Sequence, residues 1–266
     1  MTITTVDGLV AAATQRNVPL VKTASRTSTA AGFFSVFDLA GSPGAGTLNV
    51  GNTANGLVPT DATAGYPTIN AFGGGAAGLI SRFSAYGSVP GNLLIYDRLF
   101  VCGAYAFNAN TALASQPSFS GRVPGGTAFT GLEIWVETVT AGTGNQTWNV
   151  TYTNQAGTGS RTTGAVGVSA APILGRCWQL PLQAGDSGVQ QINNVQGGTG
   201  SAGTANIMVL RPLAQITIGA ANRMEILDFF QTGGPEVFAD SALYMICNPD
   251  STATGTPRAY MDVKNG

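Results

Sequence analysis

An all-β fold, a β-sandwich or jelly roll with long Gly/Pro-rich loops and a short N-terminal arm, is what this sequence predicts, on three observations. Apolar residues alternate with Thr, Asn and Gln at period two over several runs of five to nine residues, the pattern of half-buried strands. The runs are separated by Gly/Asn/Thr turns, carried by 37 glycines in 266 residues. Almost no segment carries the period of an amphipathic helix, and many short strands with hardly any helix indicate a sandwich or barrel-like closure.

Taken in order, residues 4–16 predict a short helix: Thr4, Thr5 and Asp7 are capping types and an Ala run follows. Residues 1–25 are expected to form an arm and residues 26–266 one sandwich with one core, since no linker stands out near residue 125. Residues 41–78, with Gly41-Ser-Pro-Gly-Ala-Gly46 and Gly73-Gly-Gly75, predict long surface loops around a short strand from Tyr66 to Phe72. The apolar run LLIYDRLFV at 93–101 predicts a strand covered on both faces, with Asp97 and Arg98 paired at its end. In 131–139, Leu132, Ile134 and Val136 fall on one face and Glu133, Trp135 and Glu137 on the other. In 146–154, Trp148, Val150 and Tyr152 face inward, and Asn154-Gln-Ala-Gly157 turns the chain into a Thr/Gly-rich return strand. Further strands are expected at 176–182, 187–195, 204–211, 214–218, 242–247 and 258–263. ANRMEILDFF at 221–230 predicts a second helix, ended by Gly233-Gly-Pro235. No fixed-period repeat points to a solenoid or propeller.

Composition excludes more chemistry than it offers. The chain has no histidine, and charged residues make up 9%, against the quarter usual in soluble domains. Without histidine there is no Ser-His-Asp or Cys-His pair, and the commonest metal ligand is missing. The expectation is a protein that is not an enzyme, with no cofactor and no metal. A net charge of −1, with charges spread singly, gives no basic stripe for a phosphate backbone, so no nucleic-acid partner is expected. No run approaches the length of a membrane span, and Met1 to Thr14 lacks the basic start and apolar core of a signal peptide, which predicts synthesis in a cytoplasm without membrane attachment. The triplets Asn145-Gln-Thr147 and Asn149-Val-Thr151 are then coincidences of composition. Cys102, Cys177 and Cys247 are isolated and odd in number, and read as small apolar strand residues.

Three motifs have a chemical reading. Gly185-Asp-Ser-Gly-Val189 matches the surroundings of a protease serine but has no base to take its proton, so a loop entering a strand is expected. Gly73-Gly75-Gly78 and Gly198-Gly200-Gly203 match a dinucleotide fingerprint without the strand-to-helix frame that gives it meaning, and read as loops. The enzymatic candidate is Glu133-Ile-Trp-Val-Glu137, which resembles the paired-glutamate strand of laminarinase-like jelly-roll glycosidases over five residues, with Trp135 in place of the central aspartate. Retaining chemistry needs carboxylates about 5–5.5 Å apart, whereas residues i and i+4 of a strand lie roughly 13 Å apart. Two solvated glutamates flanking a surface tryptophan is the plainer expectation. Glu133, Trp135 and Glu137 are therefore the candidate interaction surface, with no catalytic residue assigned.

Several blocks together resemble tailed-bacteriophage head proteins: Phe33 to Gly41 running into Pro43-Gly-Ala-Gly46, Leu94-Ile-Tyr-Asp-Arg-Leu99, Glu133 to Glu137, Thr151-Tyr-Thr-Asn154, Ala184 to Val189, and Val209-Leu-Arg-Pro-Leu213. The resemblance spans residues 30–215 and implies a capsid decoration or cement protein. It implies a β-sandwich bound between major capsid subunits on the head surface, self-associated as a homo-oligomer such as a trimer. A carbohydrate-binding tail or spike module, or a weak glycosidase using Glu133 and Glu137, is the alternative. A secreted adhesin domain is a third.

Overall fold

The computed structural model describes residues 5–12, 14–72, 77–168, 171–198 and 202–265. In chain order its regular elements are α1 (Val6–Ala11), β1 (Thr14–Lys22), β2 (Phe33–Ser35), β3 (Gly41–Ser42), β4 (Asn52–Leu57), β5 (Ala77–Tyr86), β6 (Gly91–Ala106), β7 (Asn110–Ala112), β8 (Glu133–Thr140), β9 (Gln146–Asn154), β10 (Arg161–Thr162), β11 (Val166–Val168), β12 (Arg176–Leu180), β13 (Val189–Gly197), β14 (Thr204–Ile218), β15 (Glu225–Asp228), α2 (Phe229–Thr232), β16 (Glu236–Phe238), β17 (Leu243–Pro249) and β18 (Arg258–Asn265). The fold is all-β, and every strand pairing with a described register is antiparallel.

The chain divides into two compact units. One comprises residues 1–46, 60–97 and 213–266, the other residues 47–59 and 98–212. Of the four boundaries, those after Asp97 and Pro212 fall inside β6 and β14, and those after Gly46 and Pro59 fall in the loops flanking β4. Each unit has its own apolar cluster, where the sequence led us to expect one core. With two crossings inside continuous strands and two in loops already rich in Gly and Pro, no single linker is there to read.

In the first unit, one sheet runs β15-β5-β18-β1-β3, with β16 also on β5. β17 pairs with β2 and with Gly91–Asp97 of β6. Their apolar faces meet over Leu20, Phe83, Ile95, Met245 and Met261. Only α1 corresponds to the helix expected over residues 4–16: Thr5 caps it, its hydroxyl accepting from Gly8 N–H. Thr14–Lys22 is not an arm but an interior strand between β18 and β3. Its Val18 and Leu20 join the core, and that burial overrides the helix propensity of the preceding Ala run. Tyr66 to Phe72 is loop, not strand, and it sends Ile69 and Phe72 into the core while Thr68, Asn70 and Ala71 stay exposed. The helix expected at 221–230 is also corrected: Glu225–Asp228 pairs with Arg82–Ala85 of β5, and only the Phe229–Thr232 turn is helical.

In the second unit, one sheet runs β10-β9-β13-β7, with β11 on β9. β8 lies between β12 and Thr204–Leu210 of β14. The expected inward residues Trp148, Val150 and Tyr152 are fully buried, and the hairpin after Asn154 forms, Gly157 N–H donating to the Asn154 carbonyl at 3.0 Å. The outer face of β9 and β13 carries Thr147, Asn149, Thr151, Thr153, Asn194 and Gln196, so this sheet meets solvent with hydroxyls and amides rather than charge.

Candidate functional site

Strand alternation places Glu133, Trp135 and Glu137 on one face of β8, as expected, but not on a solvated one. Trp135 is 3% exposed and Glu137 is completely buried; only Glu133 reaches solvent in part. The Trp135 indole N–H donates to Glu133 Oε2 at 2.7 Å. The Glu137 carboxylate accepts from Arg98 Nη2 at 3.1 Å and from Asn206 Nδ2 at 2.9 Å. Asn206 Nδ2 also donates to the Leu48 carbonyl, and Arg122 Nη2 donates to the carbonyls of Arg98 and Leu99. Two arginines, a glutamate and an asparagine thus form a sealed polar network. The reason is topological: β8 is flanked by strands on both sides and covered on both faces, so its second face needs partners for any charge it carries.

The arrangement can hold charge but cannot present it. Glu137 is the counter-ion of a buried guanidinium, and a paired-glutamate reaction would need both carboxylates open to a substrate. The expectation of two solvated glutamates around a surface tryptophan is overturned by this burial. Sequence reading also paired Asp97 with Arg98. Neighbouring strand residues point to opposite faces: Arg98 reaches Glu137, while Asp97 accepts from Ser241 Oγ at 2.8 Å and from Ala242 N–H at 3.0 Å.

A second cluster surrounds Asp186 of the Gly-Asp-Ser-Gly segment. Its carboxylate accepts from Tyr152 Oη at 2.7 Å, Asn154 Nδ2 at 2.7 Å and Arg161 Nε at 2.9 Å. The Arg161 hydrogen bond, ahead of those from Asn154 and Tyr152, holds Asp186 down to about 2. Burial, with the Asp186 hydrogen bond, pushes Tyr152 up to about 12. Exposed Ser187 is held through its backbone, its N–H donating to Gln155 Oε1. As expected, the segment is a loop leading into a strand, β13; beyond that expectation, Asp186 ties it to Tyr152, Asn154 and Arg161 of the β9–β10 hairpin.

Lys22, one of two lysines in the chain, is buried with Nζ directed at the carbonyls of Phe37, Leu39 and Pro43. Burial lowers it to about 8 against the opposing pull of Asp38. Cys102, Cys177 and Cys247 are free and buried, and burial pushes the Cys102 and Cys247 thiols up to about 12. Of the glycine triplets, Gly73, Gly75 and Gly200 lie outside the described residues; Gly78 begins within strand β5 and Gly203 leads into strand β14, so neither opens a helix. A cavity of about 310 Å³ lies among Arg16, Asn17, Thr68, Asn70 and Phe72, where Arg16 stacks 5.1 Å over the Phe72 ring and donates to the carbonyls of Asn70 and Ala71.

Sequence reasoning missed the partners of Arg98 and Asp186, because each lies on a strand distant in sequence. It also missed the outward Met224, Ile226 and Phe230. The signal for these was the alternation Met224-x-Ile226-x-Asp228, outweighed by the helix-forming composition around it.

No family model matches the chain, and no curated protein matches it. Among solved structures it is similar to chains of infectious bursal disease virus, Gt strain and Gx strain. The identities are 10% and 11%, each match covers 94% of this chain and 80% of the other, and the TM-scores are 0.20 and 0.16. A mutant VP2 protein of the same virus, in derived particles, matches at 13% identity and a TM-score of 0.15 over 94% of this chain and 76% of the other. TM-scores this low carry no argument about fold or function.

Proposed function

We propose that this protein is a non-enzymatic structural component of a virion, a decoration or cement protein of a phage head that binds between major capsid subunits and associates with copies of itself. The observation that carries the reading is where the charges go. In a chain with 9% charged residues, Lys22, Asp97, Arg98, Arg122 and Glu137 are buried and hydrogen-bond to partners inside the protein. The outer face of β9 and β13 is left to threonine, asparagine and glutamine. Such a face forms many hydrogen bonds to a protein partner while desolvating little charge. The block resemblance across residues 30–215 points the same way.

A ligand that binds only the assembled shell stabilises it by mass action. Purified protein mixed with assembled heads lacking it should co-sediment with them, raise their disruption temperature, and leave unassembled capsid subunits unbound. Protein that stays in the supernatant with intact heads contradicts the reading.

A further inference from the structure

Residues 221–230, read from sequence as helix, instead contain the β15 edge and run into the α2 turn at Phe229–Thr232. β15 ends its sheet and pairs only with β5 among the described residues. Leu227 packs inward against the core, while Met224, Ile226 and Phe230 are exposed, Ile226 by 52% and Phe230 by 76%. Asp228 N–H donates to Gln231 Oε1 at 2.9 Å, within a capping box, and so is not committed to β5. Residues of an antiparallel strand bond alternately to one neighbour and to the other. Ile226, two residues before Asp228, therefore turns its N–H and C=O away from β5, toward the open edge. Exposed edges are normally blunted by short strands, charged side chains, proline or a bulge. β15 is short and carries Glu225 and Asp228, but it has no lysine, proline or bulge, and the residue whose backbone faces the open edge is Ile226.

We propose that this edge is a homotypic interface: β15 of a second copy pairs with it antiparallel about a two-fold axis at Ile226, the two Ile226 residues exchanging N–H···O=C bonds. Centring on Glu225 would set two carboxylates opposite one another, and the backbones of Glu225 and Leu227 already serve β5. Centring on Ile226 sets Ile226 opposite itself, Met224 opposite Asp228 and Glu225 opposite Leu227, with no like charges facing. The isologous contact needs only this one self-complementary patch. A chain net charge of −1 offers little repulsion between copies. The contact stands independently of what the assembled protein binds.

The test is the native mass of the full-length chain by light scattering, with two variants. A dimer of the 27.0 kDa chain is expected, and Ile226→Lys should halve the measured mass. The paired Cα atoms at Ile226 would be about 5.5 Å apart, within the disulfide range of roughly 4.4–6.8 Å. Ile226→Cys should therefore give a disulfide-linked dimer under mild oxidation, and Met224→Cys, displaced by about 14 Å from its own copy, should not. The native cysteines are buried and do not compete. A single-chain mass at every concentration, an oligomer unaffected by Ile226→Lys, or cross-linking through Met224→Cys but not Ile226→Cys would each overturn the proposal.

Discussion

Glu137 shows how far a residue's role can depart from its place in a pattern. Alternation correctly puts it on one face with Glu133 and Trp135, but whether that face is wet depends on strands elsewhere in the sequence, and Arg98, its counter-ion, is 39 residues away. Removing one member of a buried pair leaves the other uncompensated. Glu137→Ala should therefore cost about 3–5 kcal/mol, read as a shift in the denaturant midpoint. Glu133→Ala should cost only about 1–2 kcal/mol, through the lost indole bond. Two titrations are readable at this scale. Asp186 has its carboxyl lowered to about 2 from an ordinary 3.8, so the unfolded chain takes up its proton first as pH falls. Its stabilisation is complete above the ordinary value and lost as pH drops toward 2; Asp186→Asn should flatten that acid limb in pH-dependent melting. Lys22, lowered to about 8 from 10.5, binds its proton more weakly folded than unfolded. Stability should rise between those two values, and Lys22→Met should remove the rise.

Elements were legible where the pattern was strict. The hairpin of β9 and β10 follows from alternating Trp148, Val150 and Tyr152 and a four-residue turn, and the long apolar run gave β6 directly. Residues 221–230 were not legible, because helix-forming composition masks a strand that exists through pairing with β5 and through the Asp228 capping box. Nor was the interior role of β1, since nothing in Thr14–Lys22 announces β18 as its neighbour. Close strand approach also restricts residue choice. A Cβ on Gly167 would lie 1.7 Å from the Gln146 carbonyl oxygen across the β11–β9 pair. Gly167→Ala should force the two strands apart at a cost of about 1–3 kcal/mol, visible as a melting temperature lower by several degrees.

For the whole molecule, composition and periodicity sufficed for the all-β class, because period two with frequent turns has few other solutions. The two cores were hidden because the chain passes between units four times, twice inside β6 and β14 and twice in the loops flanking β4, so no single linker separates them. For function the sequence offered mainly exclusions, a chain without histidine and with few charges, many of which the fold buries. The proposed virion role is tested most directly by quantitative peptide mass spectrometry of gradient-purified particles from the virus that encodes the chain. The account predicts the protein at a copy number comparable to the major capsid protein, retained through the gradient. Its absence from particles in infected cells that contain it would contradict the account.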